Sequence, residues 1–251
     1  MTAAGLSSLP PMTILRAAWL SNIGNVRKEN EDRILFDEQA QLFGVADGVG
    51  GLPGGAEAAQ KAVDVVTAAV VEADPDAELD LRAIVTAANQ AVAILGQRIS
   101  PTSGIGSTLT LGCVRRARMK LAHVGDSRAF SWRGGEITCL TEDHTVENEA
   151  RRRRARGEVV YYSESQRGAL TRCIGQSIPP DVDIYDLTML AGDRYVFCTD
   201  GITRLVFERE MREIVGKPDD PAAIARSLVE LALQRGGPDN ATVAAVIIDA
   251  P

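Results

Sequence analysis

Cysteine and histidine are scarce in this chain: four of the first and two of the second among 251 residues. None of Cys113, Cys139, Cys173 and Cys198 stands in a Cys-x-x-Cys pair, which excludes a zinc ribbon and a thioredoxin-like motif. His123 and His144 are too few for a histidine-rich metal site. Aromatic residues make up only 4%, so the core has to be built mostly from Ala, Val, Ile and Leu. Basic residues do not dominate. With 27 Lys and Arg against 34 Asp and Glu the net charge is −7, which argues against a nucleic-acid-binding surface. Long apolar runs are missing too. Even residues 62–71 are interrupted by Asp64 and Thr67, so no membrane span is expected. Residues 1–13, polar and broken by Pro10 and Pro11, have neither the basic start nor the apolar stretch of a signal peptide, and read as a flexible N-terminus. The expectation is a reduced, cytoplasmic protein.

What remains is a globular composition, 45% hydrophobic and 24% charged, which excludes disorder as the main state. Residues 14–24, 33–36 and 41–46 read as strands. Residues 56–73 read as a helix, with Ala59, Val63, Val66 and Val70 at helical spacing, and 81–99 as a second, with Leu81, Ile84, Val85, Ala88, Val92, Leu95 and Ile99 on one face. From Gly106 the period changes. Four short runs, 107–114, 119–124, 129–132 and 137–140, predict a meander of antiparallel hairpins. Residues 145–157 form a polar helix and 158–182 a long irregular segment. Strands at 183–187, 194–199 and 241–248 and helices at 207–215 and 221–234 complete the pattern. About ten strands are too many for one flat sheet, so the expected fold is α+β: a four-layer αββα sandwich of two packed antiparallel sheets flanked by helices.

The informative feature is a series of short aspartate motifs. They are Asn30-Glu31-Asp32, Asp47-Gly48, Gly125-Asp126-Ser127-Arg128, Asp200-Gly201 and Gly237-Pro238-Asp239-Asn240. Most adjoin an apolar strand run. A carboxylate at a strand end is held rigidly, and a neighbouring glycine lets backbone approach a ligand. Several converging carboxylates would make a hard oxygen site suited to magnesium or manganese. Taken singly, each motif is first of all a turn dipeptide.

Taken together and in order, they resemble the bacterial form of the metal-dependent protein serine/threonine phosphatases of type 2C. The resemblance runs from about residue 14 to 249. It is carried by residues 27–32 (RKENED), 45–51 (VADGVGG), 106–110 (GSTLT), 123–128 (HVGDSR), 141–145 (TEDHT), 198–201 (CTDG) and 236–242 (GGPDNAT). It implies a single domain over 14–251 with a flap at about 141–182. It implies that Asp47 bridges two divalent cations, manganese or magnesium, with the Gly48 carbonyl on one and Asp200 and Asp239 on the other. Glu31 and Asp32 would hold cation-bound waters, Asp126 with Asp200 would form a third and weaker site, and Asn240 would orient the site. Arg27 would bind the substrate phosphate, for which its fork suits two oxygens. Two cations sharing a water lower its pKa toward neutrality, and the resulting hydroxide can attack phosphorus in line. The implied partners are phosphorylated proteins and a Ser/Thr kinase whose work is reversed; a monomer is expected. One departure stands out. Many family members place a histidine, the proposed general acid, after Asp-Gly, whereas here Val49 follows and has no proton to give.

Competing readings are weaker. Residues 198–204 match the Cys-x5-Arg pattern of cysteine phosphatases, but Cys198 lies in an apolar strand run. The glycines at 48–55 have the wrong spacing for a dinucleotide loop. The run Arg151 to Arg154 with Arg156 is either a phosphoprotein-docking patch or a solvated helix paired through Glu147–Arg151 and Glu149–Arg153, and the second is favoured. His123 and His144 read as structural residues, and Trp19 and Trp132 as core or rim packing. A catalytically idle phosphatase-like binding or sensory domain is the alternative function.

Overall fold

A computed structural model describes residues 13–50, 53–75, 77–217 and 219–251. The flexible terminus expected at 1–13 falls almost wholly outside them. Thr13 itself is buried, and its carbonyl accepts a hydrogen bond from Gln41 Nε2 at 2.9 Å.

The elements run β1 (Ile14–Asn22), β2 (Asp32–Asp37), β3 (Leu42–Asp47), α1 (Gly55–Glu72), α2 (Leu81–Ile99), β4 (Leu109–Arg115), β5 (Arg118–Val124), β6 (Arg128–Arg133), β7 (Glu136–Cys139), α3 (Val146–Ala155), β8 (Asp183–Thr188), β9 (Arg194–Cys198), α4 (Asp200–Thr203), α5 (Glu208–Gly216), α6 (Pro221–Gln234) and β10 (Ala241–Ala250). They build two five-stranded antiparallel sheets, ordered β1-β10-β9-β6-β7 and β2-β3-β4-β5-β8. Helices α1 and α2 cover the second sheet, through Val63, Val66, Val85 and Val92 against Leu42, Leu109 and Leu111. Helices α5 and α6 cover the first, through Met211, Ile224 and Leu228 against Val196, Val243 and Ile247. Between the sheets pack Phe43, Val45, Met119, Leu121, Phe197 and Val246. The molecule is thus the four-layer αββα sandwich. Strand β10 shows why its sequence lacks alternation: Val243, Ala245 and Ile247 face the helices while Ala244, Val246 and Ile248 face the other sheet, so both sides are buried.

The hairpin meander is corrected by the pairing. β4 and β5 form one hairpin and β6 and β7 another, but β5 and β6 lie in different sheets. Both edges of β5 are already taken, by β4 and β8, so β6 has to cross to β9. The crossing is the turn at Gly125, whose φ of 116° favours glycine and where a Cβ would lie 2.6 Å from the Thr108 side chain. On α2, Asn89 interrupts the expected apolar stripe and is buried, whereas Ile99 is 37% exposed. Trp19 sits at the rim of edge strand β1, 48% exposed. The segment 158–182 carries one 3-10 turn, Glu164–Gln166, and is held near its middle by bridges Thr145↔Leu170 and Ser107↔Ile174.

Strand register decides where the acids go. Asp32 is paired directly with Asp47 across β2 and β3. Asp126 follows β5, Asp200 follows β9 and Asp239 precedes β10. All five positions fall at one end of the sandwich.

Candidate active site

Asp47 closes β3. Its N–H donates to Thr108 Oγ1 at 2.9 Å, and its carbonyl accepts from Thr108 N at 2.8 Å and Ser107 Oγ at 3.0 Å. Thr108 Oγ1 in turn meets Ser127 Oγ at 2.8 Å, beside Asp126. The backbone is therefore fixed while the carboxylate opens to the cleft. Gly48 has to be glycine, because a Cβ there would lie 2.4 Å from the Gly55 carbonyl oxygen.

Asp200 opens α4, a one-turn helix that periodicity did not reveal. Gly201 after it has no room for a side chain: a Cβ would stand 1.9 Å from the Asn240 carbonyl. The Asp200 carboxyl touches that of Asp47, and Arg204 at i+4 reaches Asp200 Oδ2 at 2.5 Å and Asp126 Oδ2 at 3.8 Å. Asp239 accepts from Arg27 Nη2 at 2.8 Å and from Asn240 N–H at 2.8 Å. The Asn240 side chain ties down the loop bearing Arg27: its Nδ2 donates to the carbonyls of Ile23 (2.9 Å) and Glu29 (3.0 Å), and its Oδ1 accepts from Glu31 N. Arg27 Nη1 lies 3.6 Å from Glu31 Oε2.

Asp32 is buried at the floor. Its Oδ2 accepts from Thr199 Oγ1 (2.9 Å) and Thr242 Oγ1 (2.6 Å), but its Oδ1, equally buried, has no partner. Burial and the charges of Asp200 and Asp239 lift its pKa to about 7, although the two hydroxyls oppose the rise. Asp126 is lifted to about 7 by burial and by Asp200. Asp47 is raised well above the carboxylate range by burial and by its acidic neighbours, Asp32 first. Asp200 is raised by burial, with Arg204 opposing. Glu31 is raised by burial against the pull of Arg27.

Asp47, Asp126, Asp200 and Asp239 line a cleft of about 600 Å³ together with Arg27, Gly48, Val49 and Arg204. Among the described residues no three His, Cys, Asp or Glu side chains form a group able to hold a metal ion as they stand; Arg27 and Arg204 hold Asp239 and Asp200 instead. The donor set nonetheless fits a hard divalent cation: oxygen ligands only, like charges in contact, and one orphaned buried oxygen on Asp32.

Other candidates lie elsewhere. Cys198 is fully buried and faces the α5–α6 layer, and burial pushes its thiol far above the ordinary range, so it is no nucleophile. Of the glycine-rich loop, residues 51–52 lie outside the described residues, while 48–50 line the cleft. The expected pairs Glu147–Arg151 and Glu149–Arg153 are replaced: Glu147 holds Arg167, Arg151 and Arg152 reach Glu142, and Arg153 reaches Glu158. The acids at 142 and 158 flank the helix and are nearer than those a turn away. His123 and His144 are buried and hydrogen-bonded beside the turn at Gly125.

Sequence reasoning missed Arg204, except as part of the Cys-x5-Arg decoy, and the hydroxyls of Ser107, Thr108, Thr199 and Thr242. For Arg204 a signal existed, since it stands four residues after Asp200. The hydroxyls stand inside the blocks 106–110, 198–201 and 236–242, but nothing local marks them as partners of the acids.

The protein phosphatase 2C family model matches residues 26–231. The serine/threonine protein phosphatase PstP of Mycobacterium tuberculosis is 36% identical over 239 residues, which are 92% of this chain and 44% of that protein. This chain therefore spans about half the length of that relative. Protein phosphatase PhpP of Streptococcus pneumoniae is 30% identical over 234 residues, 90% of this chain and 95% of that one. A solved structure of the catalytic domain of PstP in complex with two manganese ions superposes with a TM-score of 0.74 at 33% identity, covering 93% of this chain and 98% of the other. The chain belongs to the protein phosphatase 2C family.

Proposed function

We propose that this chain is a metal-dependent protein phosphatase that hydrolyses phosphoserine and phosphothreonine on proteins, acting as one domain over 14–251 with a flap at about 141–182. The observation that carries the reading is the convergence of Asp32, Asp47, Asp126, Asp200 and Asp239 at one end of the sandwich, with too little positive charge to balance them. Asp47 would bridge two divalent cations, with the Gly48 carbonyl on one and Asp200 and Asp239 on the other. When bound, the cations would supply Lewis acidity and a water acidified to near neutral pH.

The chain's own residues do the rest. Arg27 would exchange Asp239 for the substrate phosphate, its planar fork covering two oxygens as charge develops there. Asn240 would keep Arg27 and Glu31 in position by pinning residues 23–31. Glu31 and Asp32 would orient water, with the free Oδ1 of Asp32 as acceptor. Val49 carries no proton, so the leaving serine or threonine oxygen takes its proton from another group. Asp126 with Asp200 would offer a third, weaker cation position. A Ser/Thr kinase would supply the substrates, and the expected state is a monomer.

Hydrolysis of p-nitrophenyl phosphate and of a phosphothreonine peptide, with manganese and with EDTA, tests the reading. Turnover with manganese and none with EDTA is expected. Equal rates in both would overturn it, and no turnover under any divalent metal would favour an idle binding domain.

A further inference from the structure

The cleft holds a cation that no motif accounts for. Arg204 ends the single turn of α4, and its Nη2 lies 2.5 Å from Asp200 Oδ2 and 3.8 Å from Asp126 Oδ2. The two acid side chains are largely enclosed, at 13% and 11% exposure, whereas that of Arg204 is 57% exposed. The arginine therefore reaches in from solvent and ends between two carboxylates. Flap residue Gly168 faces the same guanidinium, where a Cβ would stand 4.0 Å from Nη2.

A guanidinium keeps its charge at every working pH. Fixed to α4, it is also presented to Asp200 at high effective concentration. A divalent ion approaching Asp126 and Asp200 meets a position already neutralised in part, and has to displace the arm into water. Because the arm is mostly exposed, the displacement is reversible rather than forbidden. Resting on the two-cation reading above, we propose that Arg204 is a tethered counter-ion that competes with a divalent cation for the Asp126–Asp200 pair and sets the weak affinity of that third position. Arg27 stands in a similar relation to Asp239 at 2.8 Å, with Glu31 at 3.6 Å as its second acid.

The test is manganese binding to the whole chain, read from the electron paramagnetic resonance signal of free manganese and by calorimetry. It compares the wild type, Arg204→Ala, Arg204→Lys, Asp126→Asn and the double variant Arg204→Ala/Asp126→Asn. The ion whose binding depends on Asp126 is expected to bind about tenfold tighter in Arg204→Ala than in the wild type, the range for loss of one charge-assisted hydrogen bond. Arg204→Lys should fall between them, and the gain should vanish in the double variant. Identical binding in Arg204→Ala and the wild type, or a gain that survives Asp126→Asn, would overturn the proposal. Asp47→Asn measured alongside keeps the two readings apart. Tight ions retained in that variant would defeat the two-cation reading, whereas the comparison of Arg204 with Asp126 stands on its own differences.

Discussion

Two buried polar networks adjoin the end of β5, and they are built on opposite principles. Around His144, signs alternate and partners match. Arg172 donates to Asp183 Oδ1 at 2.9 Å, His144 Nε2 meets Asp183 Oδ2 at 3.1 Å, and Gly125 N–H donates to His144 Nδ1 at 3.1 Å. Arg128 grips both oxygens of Asp143 at 2.7 Å, and Asn148 donates to the Asp143 carbonyl. Burial alone would raise Asp183, yet His144 and Arg172 bring it below its usual value. In the cleft the acids outnumber Arg27 and Arg204, Asp32, Asp47, Asp126 and Asp200 are all shifted upward, and one buried oxygen is left bare. The network around His144 is complete within the chain. The cleft is complete only with something the chain does not encode, and that incompleteness separates a functional network from a structural one.

The sharpest way to break this comparison is to neutralise one acid in each sense. Asp47→Asn is expected to lower kcat/KM about a thousandfold, in the range found when a transition-state electrostatic contact is lost, and to abolish tight manganese binding. Its EDTA-treated form should nevertheless melt above EDTA-treated wild type, because one like charge has gone. A variant that melts lower would place Asp47 with the structural network.

The opposite response is expected around His144. His144→Ala leaves the Gly125 N–H and one Asp183 oxygen without their partner. Urea unfolding should show a loss of about 3 kcal/mol, the size typical of a broken buried network, with or without manganese. A loss that manganese restores would erase the distinction.

The pH dependence sharpens it further. Asp32 and Asp126 ionise near 7 in the fold against an ordinary 3.8, so their contribution to stability is present below 3.8 and lost as pH rises through about 7. The neutral histidines act lower: burial brings His123 to about 4, so its stabilising effect is complete above 6.5. Between pH 6.5 and 8 the EDTA-treated protein should therefore lose stability, on the order of 1 to 2 kcal/mol or a few °C in Tm, and manganese should remove the slope. A flat profile in EDTA would mean the acids are already compensated.

The smallest effect is expected outside both networks. Cys198→Ser puts a hydroxyl into the apolar layer under α5 and α6 and should cost about 1 kcal/mol, with kcat unchanged. Loss of turnover at full stability would revive the cysteine reading.

How far the site was legible depended on chain locality. Asp47-Gly48 and Asp200-Gly201 stood out because a carboxylate and a close-approach glycine are adjacent in sequence, and both glycines do face backbone where a Cβ would clash. Helix α2 was legible from its stripe, but the buried Asn89 was not. Its Oδ1 accepts from Gly175 N and Gln176 N, partners more than eighty positions away. Arg204 hid behind a false motif, and the split of the four-strand meander between two sheets was invisible because hairpin signals say nothing about which edges are free.

The sequence by itself determined the layers: apolar period, breakers and helix stripes act between near neighbours, and they specify ten strands and the helices that flank them. It also determined which carboxylates stand at strand ends. The tertiary structure alone decided that those ends meet, that Arg27 and Arg204 hold two of the acids, and that one oxygen of Asp32 is left over. The reason is physical: strand pairing and sheet packing are long-range choices, and electrostatic balance exists only once distant charges share one enclosed space.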